Sequence, residues 1–156
     1  ADQDRSRWDH LLIRRGLAAL DRADLLTSDA GPYHLQAAIA ACHARAVRAS
    51  DTDWSRIAAL YGELVRVAPS PVVELNRAVA VSMHAGPAAG LVLVDALLKN
   101  KALRQYHWLP SVRGDLLARL GRDGEARTEF ERAADLAGNE REKHFLRARA
   151  ASLPGS

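Results

Sequence analysis

The most informative part of this sequence is GDLLARLGRDGEARTEFERAADLAG, residues 114–138. A small residue, Gly114, is followed after 12 positions by another, Ala126, and then by Phe130 at helical spacing. Gly121 separates two runs whose apolar residues recur every three or four positions, which is typical of a helix that ends at a glycine before a second helix begins. The pattern predicts a hairpin of two helices that approach closely at their small residues.

The first half of this pattern has two earlier counterparts. HLQAAIAAC (34–42) and VELNRAVAV (73–81) share the order apolar, amide, variable, Ala, β-branched, Ala. Their central residues, Ala38 and Ala78, are 40 positions apart, and Gly114 lies 36 positions after Ala78. A period of 36 to 40 residues is that of a helix-turn-helix repeat array, in which each hairpin packs on its neighbours.

Each of these helices is followed by a partner helix with residues at the same relative spacing. The three sets are Ile57, Tyr61 and Leu64; Gly90, Val94 and Leu97; and Ala126, Phe130 and Ala133. The first pair is stretched, because 19 positions separate Ala38 from Ile57 where the later pairs have 12. We therefore predict degenerate repeats with longer helices or a longer turn in the first pair.

Helix-breaking and capping residues divide the chain into about eight helices. They are predicted near 5–25, 32–49, 54–67, 71–85, 87–99, 108–120, 123–137 and 139–152. Asp51 or Asp53 is expected as one N-cap and Ser70, before Pro71, as another, while Gly86-Pro87 ends one helix and starts the next. The prediction is one all-α domain over 1–153. It comprises an N-terminal helix (1–26), helix pairs (32–67, 71–99 and 107–137), a capping helix (139–152) and a tail (154–156).

The composition favours helices over sheets, and we expect a cytoplasmic protein. Of the 156 residues 48% are apolar but only 5% are aromatic, with Ala and Leu dominant. No apolar run approaches the length of a membrane span, and the charged start ADQDRSRWDH lacks the apolar core of a secretion signal. The lone Cys42 is expected as a small buried residue in a reducing compartment.

The charge of the chain argues against nucleic-acid binding. Lys and Arg number 22 against 19 acids, giving a net charge of +3. The two signs are interleaved along the chain, and only EREKHFLRAR, near the C-terminus, leans basic. Phosphate binding needs several bases on one face with few acids between them, so we expect no tight DNA or RNA binding by this chain alone.

No residue pattern here points to catalysis, a cofactor or a metal. None of the six histidines has the close pairing with a carboxylate and a second histidine that helical zinc sites use. There is no glycine-rich phosphate loop and no nucleophile elbow. Tyr106, His107 and Trp108, with Arg104 nearby, could be interpreted as catalytic residues. We favour the interpretation that these aromatic side chains pack at the junction between two repeats. We expect a protein that is not an enzyme and has no cofactor.

The inner face of such an array is the expected binding surface. The first helix of each pair lines the concave side, which binds peptides or folded partners. The expected positions are Leu35, Ile39, Cys42, Leu75, Val79, Met83 and Trp108, with Asp115 and Arg119 at the far end. A large apolar groove exposed to water promotes aggregation, so we expect another segment to pack over it. The first helix, which carries Trp8, is a candidate for this segment.

The third repeat resembles the tetratricopeptide repeat, with three departures. Pro110, Leu117 and Gly138 stand where that motif prefers Trp, Tyr and Pro. Over residues 2–153 the chain is similar to the C-terminal extension of a bacterial group of extracytoplasmic-function sigma factors. The resemblance rests on DQDRSRWD, HLQAAIAACHARA, TDWSRIAALYGEL, PSPVVELNRAVAV, GPAAGLVLVDAL, YHWLPSVRGDLLARLGR and GNEREKHFLRAR, in that order.

This resemblance implies a cytoplasmic regulatory domain that acts on transcription initiation. Its implied partners are the promoter-binding domains of the same full-length sigma factor and the RNA polymerase core, and promoter DNA would be reached only through those upstream domains. The lack of an initiator Met fits a segment of a longer protein. The alternative is a free-standing tetratricopeptide-like adaptor that binds another protein in trans.

The most specific hypothesis about the docking surface concerns the first residues of the chain. Ser6 and Asp9 have the spacing of a capping box. On the simplest interpretation the segment therefore only starts a helix, and its charged side chains are solvated. In the sigma-factor extension this segment is a signature, which implies that Asp2, Gln3, Asp4 and Arg5 contact the sigma core or polymerase.

Overall fold

The computed structural model describes residues 30–46 and 52–154, which contain seven α-helices and no strand. The helices are Ala30–Arg45 (α1), Trp54–Val67 (α2), Pro71–Ala85 (α3), Pro87–Leu97 (α4), Trp108–Arg119 (α5), Asp123–Leu136 (α6) and Glu140–Ala151 (α7). A short 3-10 helix, Lys101–Leu103, lies between α4 and α5. The all-helical prediction is confirmed for this part of the chain, and the predicted helix at 5–25 lies outside the described residues.

The chain divides into two compact units between His84 and Ala85. The first comprises residues 1–84 and the second residues 85–156. The predicted helix pair at 71–99 extends across this boundary, and the predicted single domain over 1–153 stays a prediction. Each unit has its own core.

The core of the first unit lies between α1, α2 and α3. Helix α2 presents Ile57, Tyr61 and Leu64 on one face, at the spacing that puts every third or fourth residue toward a core. These pack with Ile39, Cys42, Val73 and Ala80. In α1 the fully buried residue is Ile39, whereas its neighbour Ala38, predicted as the close-approach position, is only half-buried.

The second unit is organised around α5, which packs against α4 and α6, while α6 packs against α7. Nine of the twelve residues of α5 are buried, so this helix has no wide solvent face. On α6 the predicted set Ala126, Phe130 and Ala133 is fully buried. Gly114 faces Phe130 directly, which confirms the predicted close approach in this hairpin.

Glycine and asparagine end and start helices where the sequence predicts them. Gly121 has φ 77°, and the amides of Gly121 and Arg122 donate to the carbonyls of Ala118 (3.0 Å) and Leu117 (2.9 Å), which is the Schellman arrangement of a helix end. Gly86 has φ 99° directly before Pro87. Asn139 begins α7, accepting a hydrogen bond from the Glu142 amide at 2.8 Å.

The first unit shows the same agreement at its helix starts. The side chain of Asp53 accepts a hydrogen bond from the Arg56 amide at 3.1 Å, so Asp53 and not Asp51 is the N-cap of α2. Helix α3 begins at Pro71, as predicted, and its first backbone bond joins the Glu74 amide to the Ser70 carbonyl. Within 30–46 and 52–154, none of the helices has both the length and the apolar character to cross a membrane.

Candidate protein-interaction site

Five of the predicted binding residues belong to the N-terminal segment. Asp2, Gln3, Asp4, Arg5 and Trp8 lie outside the described residues, so their docking role stays a prediction. The positions predicted for the inner face are all described. On α1, Leu35 is half-buried, whereas Ile39 and Cys42 are buried in the core and so are not on a binding surface. The others lie in a stripe on α3 in the first unit and on α5 in the second.

The α3 stripe consists of Leu75, Val79 and Met83, which are spaced four residues apart and so share one side of the helix. Leu75 is only 1% exposed, and this corrects its predicted place on a binding surface, since its side chain is not available to a partner. Val79 and Met83 are half-buried. The accessible part of the stripe is therefore limited to these two residues.

Trp108 also differs from its predicted surface role. It is 4% exposed at the start of α5, with Leu109 and Pro110 buried beside it. The His107 ring packs edge-on against Trp108, with ring centroids 5.6 Å apart, and against Tyr106 at 6.1 Å. Trp108 is thus buried in the second unit, whereas Tyr106 and His107 are half-buried.

His107, at the start of α5, contacts Glu142 on α7. Its Nε2 lies 3.2 Å from Oε2 of Glu142, and both side chains are less than one-fifth exposed. The sequence pattern indicates His107 only as part of the aromatic group. Its carboxylate partner lies 35 positions later in the chain, and no local spacing relates the two.

Asp115, Arg119 and Arg149 form a charged cluster at the other end of α5, here called the Asp115 cluster. Asp115 is 2% exposed. Its Oδ2 lies 2.9 Å from Nε of Arg119 one helical turn later, and its Oδ1 lies 3.5 Å from Nη2 of Arg149 on α7. The Arg149 guanidinium also covers the ring of Phe130, 5.1 Å from its centroid.

The arrangement of the Asp115 cluster accounts for the burial of its carboxylate. Removing a carboxylate from water is expensive unless opposite charges and hydrogen bonds replace the solvent, and two guanidinium groups do so here. The Arg119 side chain is only 9% exposed. Arg119 therefore pairs with Asp115 inside the second unit, and its predicted contact with a partner is wrong.

The Asp115–Arg119 pair could be identified from the sequence, but Arg149 could not. Residues four apart on a helix lie on the same side, so an Asp and an Arg at that spacing are expected to pair. Arg149 lies 34 positions after Asp115 and approaches it only because α7 packs on α6.

Arg113 connects three helices of the second unit. Its Nε lies 2.9 Å from Oδ1 of Asp95 on α4, and its Nη1 lies 3.3 Å from Oε1 of Glu129 on α6. Burial raises the pKa of the Glu129 carboxyl above its ordinary value, more strongly than the positive charges of Arg113 and Arg132 lower it. Asp95 is far more exposed than Glu129, so the two carboxylates that share Arg113 differ in solvation.

In the first unit, Tyr61 is buried and His43 is half-buried among apolar and aromatic residues. Burial raises the pKa of the Tyr61 phenol and lowers that of His43, whose ring packs edge-on against Trp54 at 5.4 Å. Cys42 is a buried free thiol, in agreement with its predicted place in the core. The described ranges contain no group of three metal-ligating side chains.

The accessible apolar surface lies partly at positions that the sequence pattern does not indicate. Tyr33 on α1 is 59% exposed and Val92 on α4 is 70% exposed. The sequence contains a signal for Val92, because α4 is apolar around most of its circumference and a helix at the surface leaves part of it in solvent. Val67, Leu98 and Leu120 are also exposed, while Val79 and Met83 are only half-buried. The charged groups of α5 instead join helices to one another.

The chain is similar to part of a longer bacterial protein. The chain is 49% identical over 146 residues to an uncharacterized protein of Rhizobium meliloti (strain 1021). The match covers 94% of this chain and 34% of the relative, so the chain spans about a third of the length of that protein. No protein-family model and no solved structure matches the chain.

Proposed function

We propose that this chain is a non-catalytic, tetratricopeptide-like regulatory domain of an extracytoplasmic-function sigma factor. It acts in the cytoplasm through contacts with the promoter-binding domains of the same full-length chain or with the RNA polymerase core. It modulates transcription initiation and reaches promoter DNA only through the upstream domains.

The observation that carries this proposal is the packing of Gly114 against Phe130. In the proposed repeat the first helix supplies a small residue to the aromatic residue of the second, and Ala126 and Ala133 flank that aromatic residue one turn away on either side. All three residues on α6 are fully buried, so the spacing that suggested the repeat corresponds to an actual helix-helix contact.

The distribution of charge supports a binding role for this chain over a catalytic one. The buried charges of the second unit, at Asp115, Arg113 and Glu129, are directed at neighbouring helices and hold them together. The apolar side chains that remain accessible lie on helix surfaces, where helical-repeat proteins bind other proteins. Binding at such a surface requires only shape and exposed apolar area.

The relative from Rhizobium meliloti supports a modular arrangement. A segment of 146 residues is shared at 49% identity within a protein about three times as long. This is what a domain attached to a larger factor would show. The proposal assigns the remainder of such a protein to promoter recognition.

Run-off transcription with purified RNA polymerase core tests the proposal directly. We expect the full-length factor and a version that lacks this domain to differ at least several-fold in promoter-specific product. Binding of the separate domain to polymerase core and to the upstream fragment would be measured in parallel by biolayer interferometry. Equal transcription with no binding to either would contradict the proposal, and binding only to an unrelated protein would favour the trans-acting adaptor.

A double substitution tests the docking role of the N-terminal segment. Replacing Asp4 and Arg5 with Ala should alter transcription by the full-length factor and leave the melting temperature of the domain nearly unchanged. The matched control replaces Glu63 and Arg66, an exposed pair three residues apart on α2, with Ala. If both double variants support normal promoter output, the segment only starts a helix and the docking surface lies elsewhere.

A further inference from the structure

Helix α4 has an apolar side that is exposed to solvent. Val92 is 70% exposed, and Ala88 and Ala96, one turn before and one turn after it, are exposed on the same side of the helix. The opposite side of α4 carries buried residues, including Val94 and Leu97, and α4 packs against α5. Because the two alanines are small, the backbone of another helix can approach the exposed side closely.

The segment that follows α4 is basic and is anchored to the second unit. Lys99, Lys101 and Arg104 are all exposed. Leu103, between them, is only 2% exposed, and the side chain of Asn100 accepts a backbone hydrogen bond at 2.9 Å at the start of the short 3-10 helix. These contacts hold the three bases, here called the basic loop, on the surface next to the end of α4.

The positive charge of the basic loop is not balanced within the described part of the chain. The sequence has no Asp or Glu in the interval 96–114, and no carboxylate of a described residue makes an ion pair with the three bases. Asp95, the last acid before this interval, lies 2.9 Å from Nε of Arg113. Glu142 of α7 lies 3.2 Å from Nε2 of His107. The acids near both ends of the interval therefore already have partners.

We propose that the exposed side of α4 and the basic loop form one docking surface for an amphipathic helix of a protein partner, whose first turn is acidic. The apolar side of that helix packs on Val92 and its flanking alanines. In an antiparallel orientation its first turn lies beside the basic loop, because the loop follows the C-terminal end of α4. Acidic residues in a first turn also stabilise the partner helix itself. The proposal rests on the proposed function only in that the chain binds other proteins.

The exposed apolar residues favour a protein over a nucleic acid as the occupant. A phosphate backbone would contact the bases of the loop and leave Val92 in solvent. The side chain of Asp95 is 45% exposed one turn after Val92 and would repel a polyanion. A helix with an apolar side and a few acids at one end satisfies both parts of the surface.

Two synthetic peptides test the surface directly. Both are stapled amphipathic helices with Leu and Ala on one side, and they differ only in having Glu or Lys in the first turn. Binding of each peptide to the chain is measured by fluorescence anisotropy. At about 50 mM NaCl we expect the Glu peptide to bind about tenfold more tightly than the Lys peptide. Equal binding of the two peptides would contradict the proposal.

Charge reversal shows whether the basic loop is the source of this preference. The loop variant carries three substitutions, Lys99→Glu, Lys101→Glu and Arg104→Glu. The matched control changes the net charge by the same amount at three exposed bases of α6 and α7, Arg132→Glu, Arg141→Glu and Arg147→Glu. We expect the loop variant to prefer the Lys peptide and the control to keep its preference for the Glu peptide. A loop variant that still prefers the Glu peptide, or a control that switches equally, would place the binding elsewhere and overturn the proposal. Far-UV circular dichroism verifies that both variants are folded.

Val92→Ser tests the apolar part of the surface. We expect both peptides to bind roughly threefold more weakly to this variant, with the preference for Glu unchanged, because the substitution removes apolar area and no charge. Unchanged affinity for both peptides would show that α4 is not part of the surface. Wild-type binding to a labelled DNA duplex at physiological salt that the loop variant loses would assign the loop to nucleic acid and overturn the proposal.

The partners of the proposed function are tested separately by biolayer interferometry with RNA polymerase core and with the upstream promoter-binding fragment. We expect the loop variant, but not the control, to lose binding to one of them. Wild-type binding that persists in the loop variant would overturn this proposal and leave the proposed function in place. A wild-type chain that binds neither would contradict the proposed function, and the peptide preference would then decide this proposal alone.

Discussion

Gly114 and Phe130 meet at the crossing of α5 and α6, where a Cβ atom built on Gly114 would lie 3.0 Å from Cε1 of the ring. The ring is completely buried, so it has little room to move away. The absence of a side chain at position 114 is therefore what sets the separation of the two helices.

Replacing Gly114 with Leu should destabilise the fold by roughly 1–3 kcal/mol, because the added side chain must displace Phe130 or separate the helices. The measurement is the free energy of unfolding from urea denaturation. Gly124→Leu is the matched control, since a Cβ at this exposed position of α6 meets nothing within 4 Å. A Gly114→Leu variant as stable as the wild type would show that the hairpin is packed differently.

Gly121 offers a test of backbone strain that involves no packing. Its φ of 77° lies in the left-handed region, and nothing lies within 4 Å of a Cβ built there. Gly121→Ala should cost about 1–2 kcal/mol, since the left-handed conformation is unfavourable by that amount for L-residues. Gly138→Ala, where φ is not positive and space is also free, should cost less and serves as the comparison in thermal melts.

The Asp115 cluster predicts a large effect from the loss of one carboxylate. Asp115→Asn should destabilise the protein by about 3 kcal/mol, because it leaves two guanidinium groups near each other without their counter-charge in a mostly buried site. Asp95→Asn breaks a half-exposed pair with Arg113 and should cost under about 1 kcal/mol. Similar losses in the two variants would mean that burial of Asp115 does not strengthen its interactions.

Glu129 should make the stability of the fold fall as the pH rises. Its folded-state pKa is above the ordinary value of 4.5, so over the interval between the two values the folded protein binds more protons than the unfolded one. The free energy of unfolding contributed by this group is thus highest below that interval and decreases as the pH passes through it. Glu129→Gln should flatten this dependence and stabilise the protein at neutral pH.

Glu125 is the control for that experiment, because its contribution to the free energy of unfolding changes with pH in the opposite direction. Its hydrogen bond with Arg122 lowers its pKa, so its contribution is present above its ordinary value and is lost as the pH falls. Urea denaturation of the Glu125→Gln and Glu129→Gln variants from about pH 3 to pH 8 compares the two. A Glu129→Gln variant whose stability at neutral pH is below that of the wild type would show that the pair with Arg113 outweighs burial.

Within the described residues the sequence by itself determined the helices and most of their ends, because those are decided within a few residues. Helix α1 is an exception, since it ends at Arg45 and the predicted helix ends at 49. Asp53, Pro71, Gly86 and Gly121 act through their own backbone angles or through hydrogen bonds three or four positions away, so they act in the same way wherever the helix lies. The Gly114–Phe130 contact was also predictable, since a short turn forces two consecutive helices to pack.

Only the tertiary structure decided which of the predicted binding residues reach the surface. Leu75, Trp108 and Arg119 lie on helices that are covered on several sides, and a helical pattern cannot tell how many neighbours a helix will have. Arg149 reaches Asp115, and Glu142 reaches His107, across more than 30 positions. Such pairs form because packing brings distant helices together and excludes water from between them, and no local spacing in the sequence specifies this.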